Sequence, residues 1–394
     1  MHWVGFDVGK RFHWVCVLDE EGGVVLSRKV EATEERMEAV LSEIAGLGGA
    51  EERVVGVDLL GGPAALLEAV LLSYGERVRY VSGTVVNRAR DAYSGGEHKS
   101  DPRDAFVIAD QVRMRWRSLP EVAAKGERTA ELKALVSYRR DLIQEQTRRL
   151  SRLRGMLTEV FPGMDAVLDL RKQGPLLTVT RVATPAATRK LGQARLARWL
   201  KARGALKANA LAERVVAAAK RQHREIPAAQ VKAALAAELA SEILRSKERV
   251  AELDDRLQEL VEGDPRGALL RSLPGMGLVL TAEFLGEVDD VSRFGSADRF
   301  AAAVGVTPVL RASGGVSYRR RARRGNRVLK KVFYQSAFTA ISCHAPSREY
   351  YLRKRSEGKN LPQAVIALAR RRVNVVWAML RDDRPYEEPE RVAA

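Results

Sequence analysis

Four aspartates in the first 104 residues have the spacing of a metal-binding set. Asp7 lies inside an apolar, strand-like run, and Asp58 ends a second such run. Asp101 and Asp104 are three positions apart at the start of a helix-like segment, so they share one helix face. Hard divalent cations are bound by carboxylate oxygens that converge from several elements, and such sites serve phosphodiester chemistry. We therefore predict a metal site formed by all four side chains.

Two of these aspartates also have ordinary structural explanations. Asp101 precedes Pro102, which fits a helix N-cap. Asp58 fits a turn at the end of a strand, ahead of the Gly-Gly-Pro sequence at 61–63. Asp7 is different, because a carboxylate within a buried strand is costly without a partner or a cation. The four together favour the metal site.

The pattern of apolar residues predicts the elements that position these side chains. Short connections between the first three strands predict an antiparallel meander. Three antiparallel strands followed by alternating helices and strands is the order of a ribonuclease-H-like α/β fold. In that fold the first strand, the fourth strand and a late helix meet at the metal site. The predicted strands are 2–8, 12–18, 23–30, 53–59 and 78–81, and the predicted helices are 33–46, 63–73 and 102–117.

The remainder of the chain is predicted to be mainly helical. Two long helices cover 127–160 and 230–262, and the second carries an apolar heptad seam interrupted by Ser246. These helices could pair as a hairpin within one chain or form an intermolecular coiled coil. The predicted domains are a metal-binding domain at 1–120, a helical linker at 121–265 with a small helical insert at about 171–228, a mostly helical domain at 266–385 and a polar tail at 386–394.

Charge is distributed unevenly along the 394 residues. The net charge is +17, yet residues 1–110 carry 12 Lys/Arg against 19 Asp/Glu, and the rest carries 55 against 31. A basic body beside a compact acidic domain predicts nucleic-acid binding, although basicity can also serve solubility alone.

Two cysteines exclude a Cys-rich zinc site. We find no signal-peptide pattern and no apolar run of about 18 residues, so we expect a cytoplasmic, nucleoid-associated protein with no membrane contact.

A second candidate for chemistry is the sequence Ser313-Gly314-Gly315. A serine ahead of two glycines lies on a bare turn, where its hydroxyl can reach a substrate, although such a sequence is often only a loop. The surrounding stretch 311–331 is rich in cations and contains no acidic residue, which fits contacts to several phosphates. These nucleic-acid-binding candidates are Arg311, Arg319, Arg320, Arg321, Arg323, Arg324, Arg327, Lys330 and Lys331.

A third motif is Pro274-Gly275-Met276-Gly277, which has a helical pattern on both sides. It resembles a helix-hairpin-helix, in which the amides of Gly275 and Gly277 would face a phosphate. A tight turn between two helices is the alternative interpretation. In the last predicted helix, at about 361–380, we expect Val373, Val376, Trp377 and Leu380 to be buried and the arginines at 370–372 to lie in solvent.

Taken in order, these motifs resemble one family over nearly the full length of the chain. This is the family of bridge-RNA-guided insertion-sequence transposases and recombinases, related to the Piv DNA invertases, in which a RuvC-like domain with a DEDD metal site is joined to a serine transposase domain. The segments that carry the resemblance are 4–10, 99–105, 273–277, 294, 305–308, 313–315 and 325–327.

The resemblance implies a DNA transposase that excises and inserts a mobile element. It implies that Asp7, Asp58, Asp101 and Asp104 hold Mg²⁺ and that Ser313 forms a covalent phosphoserine link to DNA. It also implies a structured non-coding guide RNA and a homo-oligomer, a dimer or tetramer. One departure is Asp58, since the family usually has glutamate at this position; the shorter side chain puts the spacing of the metal ligands in doubt.

Two other functions fit parts of the sequence. A RuvC-like junction nuclease would need only the metal site and an activated water. A non-catalytic nucleic-acid-binding protein would need only the cations. A tyrosine recombinase that used Tyr318 is disfavoured, because the accompanying His and Arg residues are not apparent.

Overall fold

The structure is a computed structural model that describes residues 1–93, 98–124 and 126–388. The chain divides into two compact units, residues 1–125 and residues 126–394. The finer predicted domain boundaries stay predictions. Within the described ranges, no helix is long and apolar enough to cross a membrane. Of the predicted tail, 389–394 lie outside the described residues.

The N-terminal unit is a five-stranded sheet with helices, as the sequence predicted. The strand order is β3-β2-β1-β4-β5, in which β2 is antiparallel to β1 and β3, whereas β4 is parallel to both β1 and β5. This mixed order is the one that the ribonuclease-H-like prediction requires. The strands are β1 (His2–Val8), β2 (Phe12–Leu18), β3 (Val24–Glu31), β4 (Arg53–Val57) and β5 (Val78–Tyr80); the helices are α1 (Glu34–Ala45), α2 (Ala65–Ser73), α3 (Gly83–Arg90) and α4 (Asp101–Arg115).

All the predicted strands and helices of this unit are present, but helix α3 was not predicted. It is short and mostly polar, and Val86 is its single buried residue, so it contains too few apolar residues to be recognised as a helix from the sequence. Strand β4 is buried along its whole length, which explains why it contains three valines and no alternation with polar residues. Strand β3 lies at the edge of the sheet and is mostly exposed.

Helix α4 packs directly onto the backbone of the two central strands. Gly5 of β1 and Gly56 of β4 are partners in the parallel ladder. A Cβ atom at Gly5 would collide with the backbone of Ala105 and Ala109 in α4. A Cβ atom at Gly56 would lie 2.5 Å from a methyl group of Val112. The absence of side chains at these two positions therefore sets how closely the helix approaches the sheet.

The C-terminal unit is helical apart from one hairpin. Its elements are α5 (Glu127–Val160), α6 (Pro162–Val167), α7 (Gln173–Arg181), α8 (Pro185–Leu191), α9 (Gln193–Lys201), α10 (Ala208–Lys220), α11 (Ala229–Glu262), α12 (Pro265–Ser272), α13 (Leu278–Leu285), α14 (Ala297–Val304), β6 (Val309–Ser313), β7 (Val316–Arg320), α15 (Arg327–Cys343), α16 (Ala345–Ser356) and α17 (Leu361–Arg381).

The two long helices α5 and α11 pair antiparallel within the chain. Arg139 pairs with Asp254, Gln146 with Ser246, and Arg149 with Glu242. Residue numbers that increase along α5 therefore meet residue numbers that decrease along α11. The predicted apolar seam of α11 faces this pairing or the adjacent cores, and Ser246, its one polar member, is buried and accepts a hydrogen bond of 3.0 Å from Gln146. An intermolecular coiled coil stays a prediction.

Two separate hydrophobic cores lie along this helix pair. One surrounds the end that contains Leu153 and Leu157 and is completed by α6–α10. The other surrounds the end that contains Leu132 and Leu257 and is completed by α12–α15 and α17. Three T-shaped ring contacts among Phe284, Phe300 and Phe333 lie in this second core.

Substitution of Gly5 by alanine tests the packing of α4 on the sheet. We expect Gly5→Ala to push α4 away from β1 and to destabilise this contact by about 1–3 kcal/mol, as overpacking does. The measurement is hydrogen–deuterium exchange of the α4 amides in the full chain, which should become faster.

Gly83→Ala is the matched control, because a Cβ atom there meets nothing within 4 Å. Unchanged exchange of α4 in Gly5→Ala would show that the helix does not depend on this close approach.

Candidate functional site

The structure brings the four predicted aspartates to one cavity of about 310 Å³ in the N-terminal unit. Asp7 lies near the end of β1, and Asp58 follows β4 directly. Because these strands are parallel neighbours, their carboxyl ends meet at the same edge of the sheet. Asp101 and Asp104 lie in the first turn of α4. The close approach of α4 to β1 and β4 thus places two carboxylates over the strand ends.

The acidic cavity is short of positive charge. Burial, followed by the negative charges of Asp58, Asp104 and Asp101, raises the pKa of Asp7 to about 7, whereas the charge of Lys99 lowers it. Burial also raises the pKa of Asp58, although the amide of Val8 donates a hydrogen bond of 3.1 Å to its Oδ1. A cation would relieve both the desolvation and the repulsion.

One arginine that the sequence analysis did not single out lies at this site. Arg90, at the end of α3, forms an ion pair of 2.7 Å with the buried carboxylate of Asp104. Its other terminal nitrogen donates to the side chain of Asn87, which also lines the cavity. Its separation of 14 residues from Asp104 gave no signal in the sequence, since helix α3, which carries Arg90, was not predicted.

The chemical type of these donors, carboxylate oxygens, suits a hard divalent cation. Four carboxylates supply only oxygen ligands, and their mutual repulsion indicates that a positive charge is missing. The arrangement does not amount to a formed metal cluster, because no three Asp, Glu, His or Cys side chains of the described residues are grouped as ligands.

Ser313 lies in the C-terminal unit, at the tip of a β-hairpin. It ends β6 and pairs with Val316, the first residue of β7. Gly314 and Gly315 form the two-residue turn, with φ values of +56° and +81°. Turns of this kind need positive φ at both central residues, which glycine adopts without strain. The predicted turn at Ser313 is therefore the connection of a hairpin, which the sequence analysis did not predict.

A sequence signal for the hairpin was available. Two glycines separate two five-residue segments that contain the strand-favouring residues Val309, Val316 and Tyr318, and this pattern predicts a hairpin. The density of arginines hid it, because no apolar face alternates regularly with a polar one. Within the described residues, the hydroxyl of Ser313 forms no hydrogen bond.

The predicted cations fall into two groups. Those from 311 to 327 lie on or just after the hairpin and are exposed, except for the half-buried Arg320. Lys330 and Lys331, in α15, are engaged within the protein: Lys330 donates to the carbonyl of Ala322 at 3.0 Å, and Lys331 pairs with the buried Glu283 at 2.6 Å. Their role as phosphate ligands stays a prediction.

The Pro-Gly-x-Gly motif connects α12 to α13. Gly275 has a φ of +82°, and a Cβ atom there would lie 2.6 Å from the carbonyl oxygen of Ser336 in α15. Gly275 and Gly277 both line a cavity of about 530 Å³. The turn therefore combines tight packing against α15 with an accessible face, and both interpretations of the motif stay open.

Arg372 corrects one expectation, since it is buried instead of lying in solvent. Its guanidinium donates to the hydroxyl of Ser336 at 2.7 Å and to the carbonyl oxygen of Pro274. Burial lowers its pKa to about 10. Arg372 thus holds the Pro-Gly-x-Gly turn against α15. The burial predicted for Val373, Val376 and Trp377 is confirmed, whereas Leu380, near the end of α17, is only partly buried.

Comparison with known proteins gives matches over both units. A transposase family model with a DEDD domain matches residues 4–162, and the model "Transposase IS116/IS110/IS902 family" matches residues 267–352. A 44.8 kDa protein of insertion element IS116 from Streptomyces clavuligerus is 40% identical over 98% of this chain and 96% of its own length. A 42 kDa protein of insertion element IS900 from Mycobacterium paratuberculosis is 37% identical over 100% of this chain and 98% of its own length.

A more distant similarity covers part of the chain. The pilin gene-inverting protein of Moraxella bovis is 25% identical over 147 residues, which are 35% of this chain and 45% of that protein.

The raised pKa of Asp7 predicts a pH dependence of the metal-free protein. Between the ordinary pKa of 3.8 and the folded value of about 7, the folded unit keeps a proton that the unfolded chain has released. Stability from this group is therefore fully present below about pH 4 and is lost as the pH rises to about 7. We expect Asp7→Asn to remove this loss.

The measurement is hydrogen exchange of the β1 amides in EDTA, corrected for the intrinsic rate, between pH 4 and pH 8. Glu38→Gln, which removes an exposed carboxylate of α1, should keep the wild-type slope. The same slope in Asp7→Asn would contradict the assignment.

Proposed function

The chain belongs to the IS116/IS110/IS902 family of transposases, and on that premise we propose that it is a DNA recombinase that excises and inserts a mobile element by serine-mediated strand exchange. The observation that carries the proposal is the presence of two chemically distinct sites in one chain. One is the cavity lined by four carboxylates, and the other is an exposed serine at the tip of an arginine-rich hairpin.

Asp7, Asp58, Asp101 and Asp104 would hold the divalent cation, which we propose is Mg²⁺. When bound, the cation supplies positive charge to the oxygens of a phosphodiester. The carboxylates themselves contribute the oxygen ligands and exclude softer metals that prefer sulfur or nitrogen. Arg90 neutralises part of the charge of Asp104, so its side chain competes with a cation for that carboxylate.

Ser313 would be the nucleophile of strand exchange. Its Oγ forms a bond to phosphorus, the bond from phosphorus to one deoxyribose oxygen breaks, and the serine proton ends on that oxygen through water. The phosphodiester energy is conserved in the phosphoserine, so rejoining to another strand needs no ATP. The exposed hairpin tip suits this role because a duplex backbone can approach the hydroxyl without obstruction.

DNA would be bound by the arginines that surround Ser313 and by the turn at Gly275 and Gly277. The arginines of 311–327 lie in a stretch without acidic residues, so their charges are free to contact phosphates. By the family resemblance, we propose that a structured non-coding RNA selects the DNA and that the active form is a homo-oligomer. The gene-inverting name of the Moraxella bovis protein is consistent with site-specific recombination.

Replacement of Ser313 distinguishes recombination from hydrolysis. We expect Ser313→Ala to abolish the covalent adduct with DNA of the element's end, because the alanine has no hydroxyl to attack phosphorus. The measurement is a denaturing gel and mass spectrometry of trapped complexes, with Mg²⁺ and with EDTA.

Ser317→Ala is the matched control, since Ser317 is an exposed serine on the neighbouring strand of the same hairpin. Tyr318→Phe should also keep the adduct. Cleavage that persists in Ser313→Ala would instead support a nuclease that uses activated water. Binding without any divalent-dependent reaction in the wild type would support a non-catalytic protein.

A further inference from the structure

The hairpin register determines which side chains lie beside Ser313. Residues directly opposite in an antiparallel pair lie on the same face, and residues two apart along a strand do so too. Ser313 is opposite Val316, and Arg311 is opposite Tyr318. Ser313, Arg311 and Tyr318 therefore share one face. Arg319 is opposite Leu310 and lies on the other face.

The base of the hairpin is fixed by backbone contacts. Gly305 and Gly325 cross so closely that a Cβ atom at Gly325 would lie 2.6 Å from the Cα of Gly305. The amide of Asn326 donates to the carbonyl of Ala303 at 2.8 Å, and the Asn326 side chain caps α15. Beyond this base both strands project into solvent, since every residue from 308 to 319 is exposed.

The exposed surface of the hairpin is suited to a large anionic partner. Leu310, Val316 and Tyr318 are 60%, 65% and 55% exposed, although such side chains usually pack against something. A two-stranded hairpin without a packing partner is only marginally stable in water. Its seven neighbouring arginines and lack of carboxylates indicate that the partner is nucleic acid.

Arg311 is the cation nearest to Ser313 on that shared face. Two residues along a strand span about 7 Å, a distance that an extended arginine side chain covers. Arg320 shares the face, but it lies opposite Val309, two pairs further from the tip than Arg311, and is half-buried. Among the described residues, Arg311 has no ion-pair partner, so its guanidinium is free to bind an anion.

We propose that Arg311 is a catalytic residue that contacts the non-bridging oxygens of the phosphate attacked by Ser313. This assignment rests on the proposed role of Ser313. As the bond from Oγ to phosphorus forms, the non-bridging oxygens gain negative charge, and the planar guanidinium donates two parallel hydrogen bonds to them. The serine proton still ends on the leaving deoxyribose oxygen through water. Arg311 therefore stays protonated throughout the step. Arg319, on the opposite face, contacts other phosphates and not the reacting one.

The test compares adduct formation on two synthetic duplexes of the element's end, with the element's transcript present. One duplex is unmodified. The other carries a methylphosphonate at the mapped cleavage position, in both diastereomers, so its reacting group has no negative charge. The variants are Arg311→Ala, Arg311→Lys and Arg319→Ala, each measured at saturating DNA as a single-turnover rate.

We expect Arg311→Ala to slow the reaction on the unmodified duplex by roughly 10²-fold, the usual effect of removing one donor to a developing oxyanion. On the methylphosphonate duplex the same variant should be slowed much less, because the reacting group carries one negative charge fewer for the guanidinium to neutralise. Arg311→Lys should recover part of the rate. Arg319→Ala weakens binding, but its rate relative to the wild type should be the same on both duplexes.

The assignment is overturned if Arg311→Ala is slowed equally on both duplexes, or if Arg319→Ala shows the same selective recovery. A wild-type adduct on a residue other than Ser313, or no adduct, would instead remove the proposed function. The two failures are therefore distinguishable.

Discussion

The close contact between α4 and the two central strands is the constraint on which the N-terminal unit depends. Gly5 and Gly56 leave the backbone of β1 and β4 bare at the place where α4 crosses them. A larger residue at either position would lift the helix and move Asp101 and Asp104 away from the strand ends. The packing of apolar side chains, which carries no chemistry itself, thus determines whether four carboxylates share one cavity.

This arrangement places the carboxylates of the acidic cavity close enough to repel one another. The charges of three carboxylates act on Asp7 in surroundings that already disfavour its negative charge, and the charge of Lys99 opposes them. Arg90 relieves Asp104 alone. The C-terminal unit has the opposite character, because its hairpin concentrates cations around a serine that has no acidic neighbour in sequence. The chain therefore keeps its anionic and cationic chemistry in separate units.

Much of the N-terminal unit could be predicted from the sequence because its signals are local. Alternating and continuous valines predicted the strands, and Pro102 predicted the start of α4. The four aspartates could be grouped since the strand order of the fold fixes which ends meet. Arg90 could not be found, because its helix has one buried residue and its partner is chosen by packing. The burial of Arg372 depends on Ser336 and Pro274, which lie 36 and 98 positions away, and no local pattern encodes such a contact.

The antiparallel pairing of α5 and α11 affects where the chain can gain or lose residues during evolution. Arg128, at the start of α5, donates to the carbonyl oxygen of Gly263 at the end of α11, so the chain leaves and re-enters the C-terminal core at the same place after 135 positions. The core formed by α6–α10 packs against the other end of this helix pair. Insertions or deletions in α6–α10 therefore leave Arg128 and Gly263 in place. We therefore expect the length of the protein to tolerate change at 161–228 without displacing the residues proposed to bind DNA in the C-terminal unit.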